Sequence, residues 1–213
     1  MCNLSERLEN YVNDHHNVDL TYGWNGQKGE DVDTRFREWN KAMYDAKSEK
    51  SFQKFMKIIA DIFNWGGVGS DKLKRPYAEK LWNGNFSFES TNDTPLSSWS
   101  KVLAAYTFNL PNNDNGKFFI YDSRVAVALN IIAPEYKWFL PEEYGHSMVF
   151  ALIKSSRKKS EPAQESYQRY CQSLRQQGGV ALERQLFMLG KILDFRCKNW
   201  RKCIFVNSDL ANQ

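Results

Sequence analysis

The sequence predicts a mainly α fold with few short strands, on three observations. Apolar residues recur at i, i+3, i+4 through most of the chain, the pattern of helices that bury one face. Glycines, prolines and short polar clusters fall between those segments, where helices start and stop. Only KFFIY (117–121) and CIFV (203–206) have the short apolar form of a strand, and KFFIY suits a buried extended segment equally well.

In chain order, SFQKFMKIIADIFNW sets Phe52, Phe55, Met56, Ile59 and Phe63 on one helical face, and GGVG (66–69) ends that helix. DKLKRPYAEKLW carries a weaker helical signal that Pro76 is expected to break. PLSSWSKVLAAYTF opens on Pro95 with Ser97 or Ser98 as start signals, and groups Trp99, Val102, Leu103 and Tyr106 on one face. PNNDNG (111–116) is a turn, and after KFFIY either Asp122 or Ser123 starts the helix SRVAVALNIIA, which ends before Pro134. Further helices are expected at roughly 141–155, 162–177 and 180–198.

A chain of 213 residues fits one domain, read here as two small helical lobes (about 1–94 and 95–213). Its longest apolar stretch, VAVALNIIA from Val125, is far too short for a bilayer, and MCNLSERLENYVND lacks a basic region followed by an apolar one, so a cytoplasmic protein is expected. Cys2, Cys171, Cys197 and Cys203 are too scattered for a disulfide scaffold and contain no Cys-x-x-Cys pair; His15 and His16 lack a third ligand, so no metal and no cofactor is expected.

The net charge of +4 is unevenly placed. Residues 1–100 hold 13 Lys+Arg against 15 Asp+Glu, whereas residues 101–213 hold 16 against 10. The excess gathers in KSSRKK (Lys154, Arg157, Lys158 and Lys159) and in Arg184, Lys191, Arg196, Lys198, Arg201 and Lys202, among Phe187, Phe195 and Trp200. Basic residues interleaved with aromatics suit a polyanion with stackable bases, although a solvated helix face has the same composition.

Lys101 near the start of one helix and Asp122 at the start of the next lie 21 residues apart, with a turn and an extended stretch between them. The chain therefore reverses and can bring both side chains to one cleft. Each has an ordinary explanation, a surface lysine and a helix cap.

The segment 95–133, SWSKVLAAYTF followed by FFIYDSRVAVALN, resembles the helix-hairpin-helix superfamily of DNA base-excision glycosylases, and within it the 8-oxoguanine DNA glycosylase branch. The resemblance implies a helix-hairpin-helix glycosylase-like bundle in which Lys101 attacks C1′ of a flipped deoxyribonucleotide and Asp122 stabilises positive charge at the sugar. It implies double-stranded DNA carrying a modified base as the partner of a monomeric enzyme, and release of that base with or without strand cleavage. Ser98, Ser100, Arg124, Lys154, Arg157 and Lys158 become DNA-binding candidates, and His146, Trp99 and Phe187 base-pocket candidates. The Gly-Val-Gly hairpin that the family carries before its lysine is PLSSWS here, the position two after Asp122, often His, is Arg124, and no cysteine cluster points to an iron–sulfur member. Compact relatives with YDSRVA-type segments are bacterial, some tied to phage defence, so the implied substrate is an oxidised purine or a bulky modified cytosine. A non-catalytic DNA-binding module on the same helical fold is the alternative.

Overall fold

A computed structural model describes residues 3–15, 19–24, 27–69, 73–85, 96–140 and 162–198. It is mainly helical, with eight α-helices among the described residues: α1 (Leu4–Asp14), α2 (Gly29–Ser48), α3 (Phe52–Trp65), α4 (Arg75–Trp82), α5 (Leu96–Tyr106), α6 (Ser123–Ile132), α7 (Ala163–Gln177) and α8 (Val180–Lys198). The one described sheet is an antiparallel ribbon, β1 (Gly23–Trp24) against β2 (Gln27–Lys28), just ahead of α2. No described helix is long and apolar enough to cross a membrane. The expected helix near 141–155 and the strand-like CIFV lie outside the described residues.

Local chemistry accounts for most boundaries. The Ser51 hydroxyl accepts the Lys54 N–H to start α3, and Gly66 caps its end before Gly67 turns the chain at φ +66°. Pro76 does not break a helix: it sits in the first turn of α4, where a missing N–H costs nothing.

Phe55, Ile59, Ile62 and Phe63 of α3 join α5 and α6, both almost wholly buried, in one core with α7 and α8. Helix α1 packs on α6 and α7; Arg7 donates to the Ile132 carbonyl and pairs with Glu135. The tightest crossing is α6 on α8. A Cβ at Gly190 would lie 1.9 Å from the Arg124 carbonyl oxygen, so backbone meets backbone and only glycine fits.

Residues 117–121, KFFIY, belong to no helix and pair with no strand among the described residues. Their backbone groups are met by side chains instead. Phe118, Ile120 and Tyr121 donate N–H to Thr107 Oγ1, Glu183 Oε2 and Ser100 Oγ, each at 3.0 Å. The carbonyls of Phe119 and Ile120 accept from the hydroxyls of Tyr167 and Tyr170, both at 2.9 Å, and that of Lys117 from the Arg175 guanidinium at 2.7 and 3.0 Å. A buried backbone must be paired somewhere; here six surrounding residues replace a neighbouring strand on this stretch and fix where Asp122 emerges.

Candidate functional site

Asp122 is the N-cap of α6. Its Oδ1 accepts the N–H groups of Arg124 (3.0 Å) and Val125 (3.1 Å), which locks the carboxyl, while Oδ2 makes no hydrogen bond among the described residues. Lys101 sits in the second turn of α5 and is 4% exposed. Its Nζ donates to the Ser97 carbonyl at 2.7 Å, one turn back. The end of α3 makes room for it: a Cβ at Gly66 would come within 2.8 Å of Lys101 Cδ, so the glycine that stops α3 also admits the lysine stem.

Lys101 and Asp122 line one cleft, with Tyr22, Trp65, Ile120, Val125, Glu183 and Phe187. Phe187 lies edge-on to Tyr22, with ring centroids 5.6 Å apart, and the Arg124 guanidinium stands 5.0 Å above the Phe187 ring. The cavity is tight, about 10 Å³, near the space of one water. Nothing the size of a nucleobase enters unless aromatic walls move.

Glu183 forms part of this cleft and of a second, about 20 Å³, lined also by Tyr22, Asp33, Lys117 and Arg184. Burial pushes its carboxyl up to about 7, with the Ile120 N–H bond and the Arg184 and Lys117 charges pulling the other way. Arg184 itself pairs with Asp33 and stacks 5.0 Å over the Tyr22 ring. The Lys117 amine, which donates to the Phe108 carbonyl, is pulled below the ordinary lysine range by burial, and burial also pushes the Tyr22 phenol up.

Of the residues singled out in the sequence, the structure brings Lys101, Asp122 and Phe187 together, with Arg124 at the rim. Trp99 does not line the cleft; it is fully buried against Phe63 and Tyr77. Ser98 and Ser100 are also fully buried, and Ser100 is engaged with the Tyr121 backbone, so neither hydroxyl faces a phosphate; residues 96–100 are packed inward with Leu96 and Trp99. His146, Lys154, Arg157 and Lys158 lie outside the described residues, as does the Phe195 side chain. Sequence reasoning passed over Glu183 and Tyr22. Glu183 sits four residues before Phe187 on the inward face of α8, and a carboxyl at i beside an aromatic at i+4 was the available signal.

No known family, curated protein or solved structure matches this chain.

Proposed function

We propose that the chain is a DNA N-glycosylase that flips a modified base out of the duplex and releases it, with Lys101 as nucleophile and Asp122 as its electrostatic partner. One observation carries the reading: an amine and a carboxyl 21 residues apart converge on one aromatic-walled cleft, each with its placement fixed by backbone. The Lys101 amine, deprotonated, forms a bond to C1′ as the C1′–base bond breaks, and the base leaves with the electron pair and takes a proton. Loss of an amine proton and opening of the sugar ring then give an imine. Asp122 Oδ2 faces the positive charge that builds at C1′. Flipping costs a few kcal/mol, and displacement of Phe187 or Tyr22 from the closed cavity adds to that cost.

Borohydride reduces such an imine to a stable adduct, so trapping on duplexes with an oxidised purine or a bulky modified cytosine tests the reading. A covalent complex is expected, lost in Lys101→Ala; absence of both adduct and base release on every duplex overturns it. If Lys101→Ala keeps excision and Asp122→Ala loses it, Asp122 activates water instead.

A second reading, a non-catalytic DNA-binding module, is favoured by the bond from Lys101 Nζ to Ser97 and by the narrowness of the cavity. It predicts salt-dependent duplex binding with no adduct.

A further inference from the structure

We propose that Lys117 is a second nucleophilic amine, in the neighbouring cleft, which captures a small uncharged aldehyde as an imine with Glu183 as the proton donor. The site does not use Lys101 or Asp122 and is independent of the glycosylase reading.

A lysine is almost never fully buried unless it is paired. Lys117 is 2% exposed and makes no ion pair among the described residues. Of the two carboxyls on its cleft, Asp33 is paired with Arg184, and Glu183 holds the Ile120 N–H through Oε2. The Lys117 Nζ has one hydrogen-bond partner among the described residues, the Phe108 carbonyl. An ammonium there has two further N–H groups with nothing to receive them, whereas a neutral amine has one and keeps a lone pair. The Phe108 ring, its centroid 5.0 Å away, favours the cation, as do the charges of Glu183 and Asp33; burial outweighs those charges and draws the amine below the ordinary lysine range. The backbone at Lys117 is fixed on both sides, its N–H on the Asp114 carbonyl at 3.0 Å and its own carbonyl under the Arg175 guanidinium.

Glu183 supplies the acid. It lines the same cleft, and its Oε1 makes no hydrogen bond among the described residues. Asp122 faces it from α6 as a second carboxyl, and Tyr22, Tyr167, Tyr170 and Cys171 are kept protonated by burial. Against the pull of Arg184 and Lys117, burial holds the Glu183 proton up to about 7.

Phe36, Phe108, Phe118 and Val180 make apolar walls, and the cavity of about 20 Å³ has room for one water or two. That suits an uncharged aldehyde of one or two carbons, and a dry wall protects an imine from hydrolysis. The amine lone pair bonds to the carbonyl carbon, and the carbonyl oxygen takes a proton from the new ammonium, which gives a carbinolamine. The Glu183 proton passes to that hydroxyl, which leaves as water while the nitrogen lone pair closes the C=N bond. The iminium proton then returns to Glu183. Amine and aldehyde become imine and water, with nothing oxidised or reduced.

The test treats the full chain with isotope-labelled acetaldehyde and excess cyanoborohydride, which reduces the imine to an ethylated lysine, and reads each site by peptide mass spectrometry. At pH 7, Lys117 is expected to label at least about 100-fold faster than the exposed lysines, the low end of what a positioned proton donor contributes. The preference should vanish in denaturant, where the cleft is gone. It should fall by a similar factor in Glu183→Gln, which keeps the Ile120 bond through its amide oxygen and has no acidic proton. In wild type alone, the ratio of Lys117 to exposed-lysine labelling should fall from pH 7 to 9, because Glu183 loses its proton above about 7 while exposed lysines gain free amine. Labelling of Lys117 no faster than that of exposed lysines overturns the proposal, and so does a preference unchanged by Glu183→Gln and by pH. Slow labelling that inorganic phosphate slows further also overturns it, and makes the cleft an anion site around an ammonium.

Discussion

The segment 117–121 and the cleft beside it both bury polar groups, and they leave those groups in different states. In the segment, backbone donors and acceptors are met by dedicated side chains: Thr107, Ser100, Glu183, Tyr167, Tyr170 and Arg175. In the cleft, each carboxyl spends one oxygen on a backbone N–H and keeps the other: Oδ1 of Asp122 caps α6 while Oδ2 remains, and Oε2 of Glu183 holds Ile120 while Oε1 remains. Saturated polar groups specify a fold. Polar groups held firmly by one end, with capacity left at the other, are what a ligand needs, because the cost of orienting them is already met.

The largest expected effect falls on the scaffold both regions share. In Gly190→Ala a methyl group must occupy space 1.9 Å from the Arg124 carbonyl oxygen, and α6 must separate from α8. A loss of about 3 kcal/mol or more is expected in urea unfolding. A loss under about 1 kcal/mol means that the crossing relaxes easily and does not hold Asp122 and Glu183 in register.

Glu183→Gln comes next, and its sign depends on pH. The folded carboxyl titrates at about 7, above its ordinary 4.5. The folded state therefore binds the extra proton between those values, and stability is lost as pH rises from about 4.5 through 7. Glutamine has no such titration, so the variant should gain on wild type by about 3 kcal/mol at pH 8 relative to pH 4. Unfolding midpoints at the two pH values check this, and an unchanged difference would place Glu183 among the saturated groups.

Ser100→Ala acts on the segment alone. It orphans the Tyr121 N–H in a buried place, at a cost of about 2 kcal/mol with no pH dependence. Thermal unfolding across pH 5–8 should show a parallel shift; a shift that varies with pH would tie Ser100 to the titrating cleft.

The same contrast explains what could be read from the sequence. Caps and periodic apolar faces are local, and Gly66 and Asp122 marked their helix boundaries within a residue. The convergence of Lys101 and Asp122 was legible because a turn and a short apolar stretch join them directly. KFFIY has the composition of a strand because its side chains are buried on both faces, yet its pairing partners come from α5, α7 and α8, far along the chain or on another element. Pro76 is neutral in a first turn and breaks a helix only deeper in, so the residue alone could not decide. Glu183 was hidden in a basic run because its carboxyl turns inward while Arg184 beside it turns toward Asp33, a division that only packing produces.

Asp122→Asn is expected to change stability least and separates the two kinds of polar group most cleanly. The amide oxygen of asparagine replaces Oδ1 as acceptor for Arg124 and Val125, and asparagine is as good an N-cap as aspartate, so unfolding should shift by no more than about 0.5 kcal/mol. What disappears is the negative charge at the position of Oδ2. If that oxygen serves only the fold, excision follows stability and changes little. If it faces positive charge at C1′, single-turnover excision falls by about 100-fold or more in a protein that melts like wild type. Retention of excision within about twofold would make Asp122 a cap and nothing else, and would move the cleft into the same class as the segment that leads to it.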